Sequence, residues 1–140
     1  MEQERLTIDA VAPGEQQPEV EHDFEGVDTE AGSNFGRHWR HTSGWFAYTL
    51  SDPGGEAHVL RIDYWGADSG RKFTIEVNGM IVAEVTSTGK QGARFVSVDY
   101  PLSVEVLAAA KDGGHRIRFV AAEGSIAGGI YGVRLLRKPG

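Results

Sequence analysis

Hydrophobic and polar side chains alternate along residues 70–85, GRKFTIEVNGMIVAEV. The apolar residues of the first half occupy every second position: Phe73, Ile75 and Val77. This is the period of a strand with one buried face. Asn78-Gly79 follows, a pair that tolerates the positive φ angles of a type I′ turn, and the alternation then resumes. The segment therefore predicts a β-hairpin in which Ile75 is buried and Thr74 lies on the opposite face.

Similar short patterns recur along the chain and are separated by turns rich in glycine. Strands are predicted at residues 6–11, 19–25, 45–50, 59–65, 93–100, 115–122 and 130–137, the last with Tyr131, Val133 and Leu135 on one face. Only residues 102–111 have helical spacing, and they are too short to cross between parallel strands. The pattern predicts an all-β fold, an antiparallel β-sandwich of the jelly-roll, galactose-binding-like type, with a barrel as the second choice.

The domain boundaries follow from where these patterns begin and end. Residues 13–18, PGEQQP, interrupt the first strand pattern, so residues 1–18 are expected to be an N-terminal strand or a linker. Residues 19–138 are expected to form a single β-sandwich domain. Within it, residues 26–36 are polar and rich in glycine, which predicts a loop. The donor-rich cluster RHWRH at residues 37–41 extends that loop and places Trp39 in it.

Composition narrows the class of partner. The chain has 140 residues, no cysteine and a net charge of −6. The acidic balance argues against nucleic acid, since phosphates require a basic surface. No apolar run approaches the roughly 20 residues of a membrane span, so no membrane partner is expected. The charged N-terminus does not resemble a signal peptide, which leaves a cytoplasmic protein or a domain of an exported or periplasmic parent protein.

No catalytic or metal-binding pattern in the sequence predicts an enzyme. Gly-x-Ser-x-Gly does not occur, and the glycine-rich residues 124–132 lack the lysine of a phosphate-binding loop. His38 and His41 are three residues apart, but neighbouring arginines disfavour a cation there. No cofactor is expected, and a weakly held structural calcium ion is the alternative. Its ligands would come from four acidic residues close together in the sequence: Asp23, Glu25, Asp28 and Glu30.

Aromatic residues beside polar ones are the strongest functional signal. A sugar ring stacks its C–H face on an aromatic plane, while polar side chains hold its hydroxyl groups. Four residues are therefore predicted to bind a ligand: Trp39, Arg40, Trp65 and Tyr131. Two structural alternatives remain open. The tryptophans could cover a sheet face or pack on a neighbouring domain, and Arg40 could pair with Asp23 or Glu25.

Several stretches occur in an order that resembles a known family. They are Trp39-Arg40, residues 44–48 (GWFAY), 60–70 (LRIDYWGADSG), 71–79 and 124–135 (GSIAGGIYGVRL). Over residues 19–136 the chain resembles the accessory β-sandwich near the C-terminus of β-L-arabinofuranosidase-like proteins, glycoside hydrolase family 127. More distantly, it is similar to carbohydrate-binding modules of families 6 and 35, which are jelly rolls.

The resemblance implies a non-catalytic accessory module of a glycoside-hydrolase-type protein that binds carbohydrate weakly. Its implied partners are the catalytic domain of the same parent protein and an oligosaccharide. The alternative is a purely structural domain that packs against the catalytic domain and has no ligand of its own. The carbohydrate-binding modules usually place an aromatic pair and an asparagine at a loop edge, and this chain offers only Asn34 and Asn78.

Overall fold

The computed structural model describes residues 2–140. They contain nine antiparallel strands and three short helices, connected by turns and loops. In chain order they are α1 (Glu2–Leu6), β1 (Thr7–Val11), α2 (Gln16–Glu21), β2 (Glu25–Asn34), β3 (Arg37–Ser51), β4 (Ala57–Trp65), β5 (Ser69–Val77), β6 (Met80–Thr88), β7 (Phe95–Pro101), α3 (Val104–Ala108), β8 (Gly114–Ala121) and β9 (Ala127–Arg137). Within residues 2–140, no helix has the length and apolar character needed to cross a membrane.

The strands pair in the order β6-β5-β8-β3-β9-β4-β7, with β2 added on β3 and β1 added on β9. Every pairing is antiparallel. β3 is long enough to pair with β8 through its second half and with β9 at Arg40 and Thr42. It therefore links the two layers of the sandwich, and the sheet is nearly closed. The predicted all-β antiparallel sandwich is confirmed.

The core lies between the two layers and follows the predicted alternation. Phe73, Ile75 and Val77 are buried, and Asn78 and Gly79 have φ angles of 54° and 82°, as the predicted turn requires. The inward residues of the central strands are also buried: Phe46, Tyr48, Leu50, Leu60, Ile62, Ile117, Phe119, Val133 and Leu135. The phenyl rings of Phe46 and Phe119 stack across two strands, with centroids 4.9 Å apart.

The predicted strand at residues 19–25 is wrong, because residues 19–21 belong to α2 and only Glu25 belongs to a strand. The helix buries Glu19, whose carboxylate accepts hydrogen bonds from Arg40 and from the Tyr48 hydroxyl. These contacts come from residues 21 and 29 positions away. Tertiary contacts of this kind override a weak local alternation that no neighbouring strand supports.

The predicted loop at residues 26–36 is also wrong. Those residues are mostly β2, which forms a long hairpin with β3. Most β2 side chains are exposed, so the strand has no buried face to produce alternation. As a consequence, Trp39 and Arg40 lie in a strand and not in a loop.

Candidate functional site

An open cleft of about 330 Å³ lies where the β2–β3 hairpin meets the loop after β4 and the start of β9. Three of the four predicted binding residues line it: Trp39, Trp65 and Tyr131. Its other side chains with polar groups are those of Ser33, Asn34, His41, Asp68 and Arg71. Three separate strands, β3, β4 and β9, thus each supply one aromatic side chain to the same cavity.

Trp39 reaches the cleft because its partner strand leaves room for the indole. Gly32 is paired with Trp39, and a Cβ at Gly32 would lie 2.6 Å from Cζ2 of the indole. No other residue type would fit beneath the ring without displacing it. His41, two residues further along β3, lies on the same face of the strand, and its ring is 4.8 Å from that of Trp39.

Arg40 is not in the cleft. Successive side chains of a strand point to opposite faces, so Arg40 points away from the side that Trp39 occupies. Its Nε donates to Glu19 Oε2 at 2.6 Å and its Nη2 donates to Glu19 Oε1 at 2.8 Å. The alternative in which Arg40 pairs with a carboxylate is therefore found, but the partner is Glu19 and not Asp23 or Glu25. Glu25 pairs with Arg116.

The Glu19 carboxylate is the centre of a buried polar network. It accepts hydrogen bonds from Arg40, from the Tyr48 hydroxyl at 2.6 Å and from the backbone N–H of Gly14 at 3.0 Å. Burial by itself would raise the pKa of Glu19, but these hydrogen bonds outweigh burial and lower it. Burial and the same carboxylate raise the pKa of Tyr48. The network attaches α2 to β3 and accounts for Arg40 structurally.

Trp65 lies on the outer face of β4, as predicted from its alternation with Tyr64. Its indole stacks on Phe35 at 5.1 Å with an interplanar angle of 20°. The ring of Phe95 meets it edge-on at 5.0 Å. Trp65 thus belongs to a small aromatic cluster on the outer face of β4, and of these three rings only that of Trp65 lines the cleft.

Tyr131 enters the same cluster because of a bulge in β9. Tyr64 pairs with Ile130 while Asp63 pairs with Gly132, which leaves Tyr131 as an extra residue. A bulge of this kind redirects a side chain. Ile130 remains in the core, whereas the Tyr131 ring contacts Phe95 at 5.0 Å. The prediction that Tyr131 shares a face with Val133 and Leu135 is therefore wrong.

Polar groups surround these rings. Asn34 Nδ2 donates to the Tyr131 hydroxyl at 3.2 Å. Arg71 Nη1 donates to Asp68 Oδ2 at 3.3 Å. Burial raises the pKa of Asp68, against the opposing effects of Arg71 and of the Gly129 N–H. The cleft thus offers an amide, a phenol, a carboxylate and a guanidinium around apolar rings, which suits a neutral ligand with many hydroxyl groups.

Asn34 and Arg71 were not among the predicted site residues. The sequence predicts a loop at Asn34, and only its place at the end of β2 brings it to Tyr131. Arg71 falls inside a stretch that carries the family resemblance, but nothing in its neighbours indicates a site. Pairing across strands, which the linear pattern does not contain, is what brings both residues into the cleft.

Two of the four acidic residues considered for calcium have side-chain partners. Glu25 pairs with Arg116, and Glu30 Oε1 lies 3.0 Å from His41 Nε2. Within residues 2–140, no three His, Cys, Asp or Glu side chains are grouped so that they could hold a metal ion.

The fold is that of carbohydrate-binding modules and related ectodomains. The chain is similar to a family 35 carbohydrate-binding module from Clostridium thermocellum, with 12% identity and a TM-score of 0.57 over 92% of this chain and 98% of that one. It is also similar to a GH26-CBM35 β-(1,4)-mannanase from Podospora anserina, with 15% identity and a TM-score of 0.62 over 94% and 28%. The ANX1 ectodomain from Arabidopsis thaliana gives 13% identity and a TM-score of 0.63 over 93% and 41%.

At these identities the likeness shows the fold, and the chain spans less than half the length of the mannanase and of the plant ectodomain. The predicted similarity to family 35 modules is thus found in the architecture. More narrowly, residues 2–136 match DUF6805, a family of unknown function, and the chain belongs to this family. No curated protein matches its sequence.

Proposed function

We propose that this chain is a non-catalytic module that binds carbohydrate weakly in the cleft between Trp39, Trp65 and Tyr131. The convergence of these three rings, from three strands, on one cavity with polar groups at its rim carries the proposal. Aromatic planes take up the C–H face of a sugar, and the neighbouring amide, carboxylate and guanidinium groups match its hydroxyls. One structural neighbour is named as a family 35 carbohydrate-binding module and another as a mannanase joined to such a module, which agrees with this role.

The parent protein is proposed to be of the glycoside-hydrolase type, with its catalytic domain as the partner of this module. The sequence resemblance to the accessory domain of family 127 proteins supports this. The Podospora anserina neighbour supports it as well, since its name joins a family 35 module to a mannanase.

A titration tests the binding site. The chain is titrated with arabinose-, galactose-, mannose- and glucose-based oligosaccharides while tryptophan fluorescence and amide chemical shifts are followed. We expect saturable shifts at the cleft with a Kd near the millimolar range, about −4 kcal/mol, and their loss in Trp39→Ala.

Trp45→Ala is the matched control for this titration. Trp45 lies on the same strand but stacks with Arg118 at 4.8 Å, outside the cleft. The Trp45→Ala variant should bind each sugar with the affinity of the unaltered chain. The proposal would be contradicted if no sugar changed the fluorescence or the amide shifts at tens of millimolar. It would also be contradicted if both variants stayed folded and lost affinity equally.

A structural domain that packs on the catalytic domain is the second candidate, and a specific surface favours it. Asn78 Nδ2 donates to the Val106 carbonyl, which brings the β5–β6 turn against α3. Apolar side chains are exposed on both elements: Met80, Ile81 and Val104. If this surface is the interface, the separately produced catalytic domain of the parent will bind the chain and Ile81→Asp will abolish that binding, while the sugar titration stays silent.

A further inference from the structure

Phe35 stands out among the aromatic residues of the described chain because it alone is largely exposed. Its side chain is 77% accessible, whereas every tryptophan and tyrosine in residues 2–140 is at least partly buried. It lies at the tip of the β2–β3 hairpin, between the paired residues Asn34 and Arg37. An exposed phenyl ring at a hairpin tip contributes nothing to the core.

The backbone at Phe35 is unfavourable for a bulky residue. Phe35 and Gly36 have φ angles of 49° and 77°, the left-handed region that favours glycine and asparagine. The two-residue turn between β5 and β6, Asn78-Gly79, has nearly the same pair of φ angles, 54° and 82°. There the chain uses the favourable residue. Phe35 is thus an aromatic side chain kept at a position where local structure favours asparagine.

The Phe35 ring is held flat and in a fixed place. It stacks on Trp65 at 5.1 Å, which leaves its outer surface open. The turn is fixed on both sides, since Asn34 donates to the Tyr131 hydroxyl and Arg37 Nη2 donates to Asp63 Oδ2 at 2.9 Å. The ring therefore forms a preorganised apolar plane that loses little freedom when a ligand covers it.

We propose that Phe35 is a second stacking platform beside the cleft, so that the ligand is an oligosaccharide with one unit in the cleft and the next on Phe35. This inference rests on the proposed function. Continuity supports it, because Asn34 and Trp65 both line the cleft and both adjoin Phe35. Arg37, two residues from Phe35, is paired with Asp63, so its charge is compensated and the platform favours a neutral ligand.

Phe35→Asn tests the platform. Asn is the residue that the chain already uses in the matching turn, so the variant should keep the hairpin. The unaltered chain and the variant are titrated with one-, two- and four-unit members of the same four sugar series. In the unaltered chain, affinity should rise from one to two units. The variant should keep the affinity for one unit and lose roughly three- to tenfold for the longer ligands, the worth of one aromatic stack.

The controls separate this inference from the proposed function. Val104→Asn removes an apolar side chain that is 80% exposed on α3 and should change neither affinity. Trp39→Ala should weaken ligands of every length. Equal affinity for one and four units, or unchanged binding of long ligands by Phe35→Asn, overturns the platform and leaves the cleft intact. Absence of binding by the unaltered chain overturns both. A change in the association state of Phe35→Asn, with no change in sugar binding, would instead assign Phe35 to a protein contact.

Discussion

Trp39 and Arg40 are neighbours in the sequence, yet they belong to different parts of the molecule. Trp39 lines the cleft, and Arg40 is held by Glu19 on the other side of β3. The sequence shows that an indole and a guanidinium are adjacent, but the side of the sheet each occupies depends on the strand. The sequence predicts a loop at residues 37–41, and in a loop both side chains could belong to one site. Residue types thus predict the aromatic part of the cleft, but the prediction that Arg40 belongs to it is not matched by the structure, where Arg40 pairs with Glu19.

The Glu19–Arg40 pair gives a prediction about stability. Glu19→Gln leaves the Arg40 guanidinium, whose side chain is 14% exposed, without its counter-charge. Breaking a buried pair in this way typically costs about 3–5 kcal/mol, which urea unfolding will measure. The control is Glu30→Gln, because Glu30 makes an exposed contact with His41 and should cost less than about 1 kcal/mol. Equal losses in the two variants would contradict the structural role of Glu19.

The same carboxylate predicts a dependence on pH. The pKa of Glu19 is lowered in the folded chain from its ordinary value of 4.5. Its contribution to stability is therefore fully present above pH 4.5 and is lost as the pH falls through the lowered value. Unfolding free energies measured from pH 7 down to pH 3 should fall less steeply below pH 4.5 in Glu19→Gln than in the unaltered chain. Parallel curves would show that Glu19 is not the group responsible.

Among the elements, the alternation of β5 predicts its own facing, and mutation can test it. Ile75→Ala removes a fully buried side chain and should cost about 2–5 kcal/mol of unfolding free energy. Thr74→Ala changes the next residue, on the outer face of the same strand, and should cost less than about 1 kcal/mol. Urea denaturation of the two variants side by side gives the comparison. Similar costs would mean that the facing of the hairpin is wrong.

The elements also show where pattern reading stops. A strand is visible in the sequence when one face is buried and the other is not, as in β5. β2 is exposed at most positions and has no such contrast, so its hydrogen bonds to β3 are its only signature. The bulge at Tyr131 is equally hidden, because it is a mismatch between β4 and β9. The fold is predictable because most strands resemble β5. The part of the cleft that β2 and the bulge form is not predictable, because neither has a signature in the sequence.

In the whole molecule, the cleft depends on parts of the chain that are distant in sequence. β3 crosses between the layers, so the hairpin that carries Trp39 lies beside the aromatic cluster of β4 and β9. The N-terminal segment supports this hairpin from behind. Gly14 packs so closely on Trp39 that a Cβ at Gly14 would lie 2.6 Å from the Trp39 carbonyl oxygen. Support of this kind links the stability of the N-terminus to the shape of the cleft.

Removal of residues 1–18 tests whether this segment is a linker or belongs to the domain. β1 pairs with β9, the Val11 side chain is 3% exposed, and Asp9 Oδ2 accepts a hydrogen bond from the Ser51 N–H. Loss of the burial of the Val11 and Leu6 side chains alone should cost about 3–6 kcal/mol, at about 1.5–3 kcal/mol for each buried side chain. We therefore expect a large fall in the urea midpoint and a change in the amide shifts around Trp39. Removal of the exposed residues 138–140 is the control and should change neither. An unchanged midpoint after the N-terminal deletion would identify residues 1–18 as a linker.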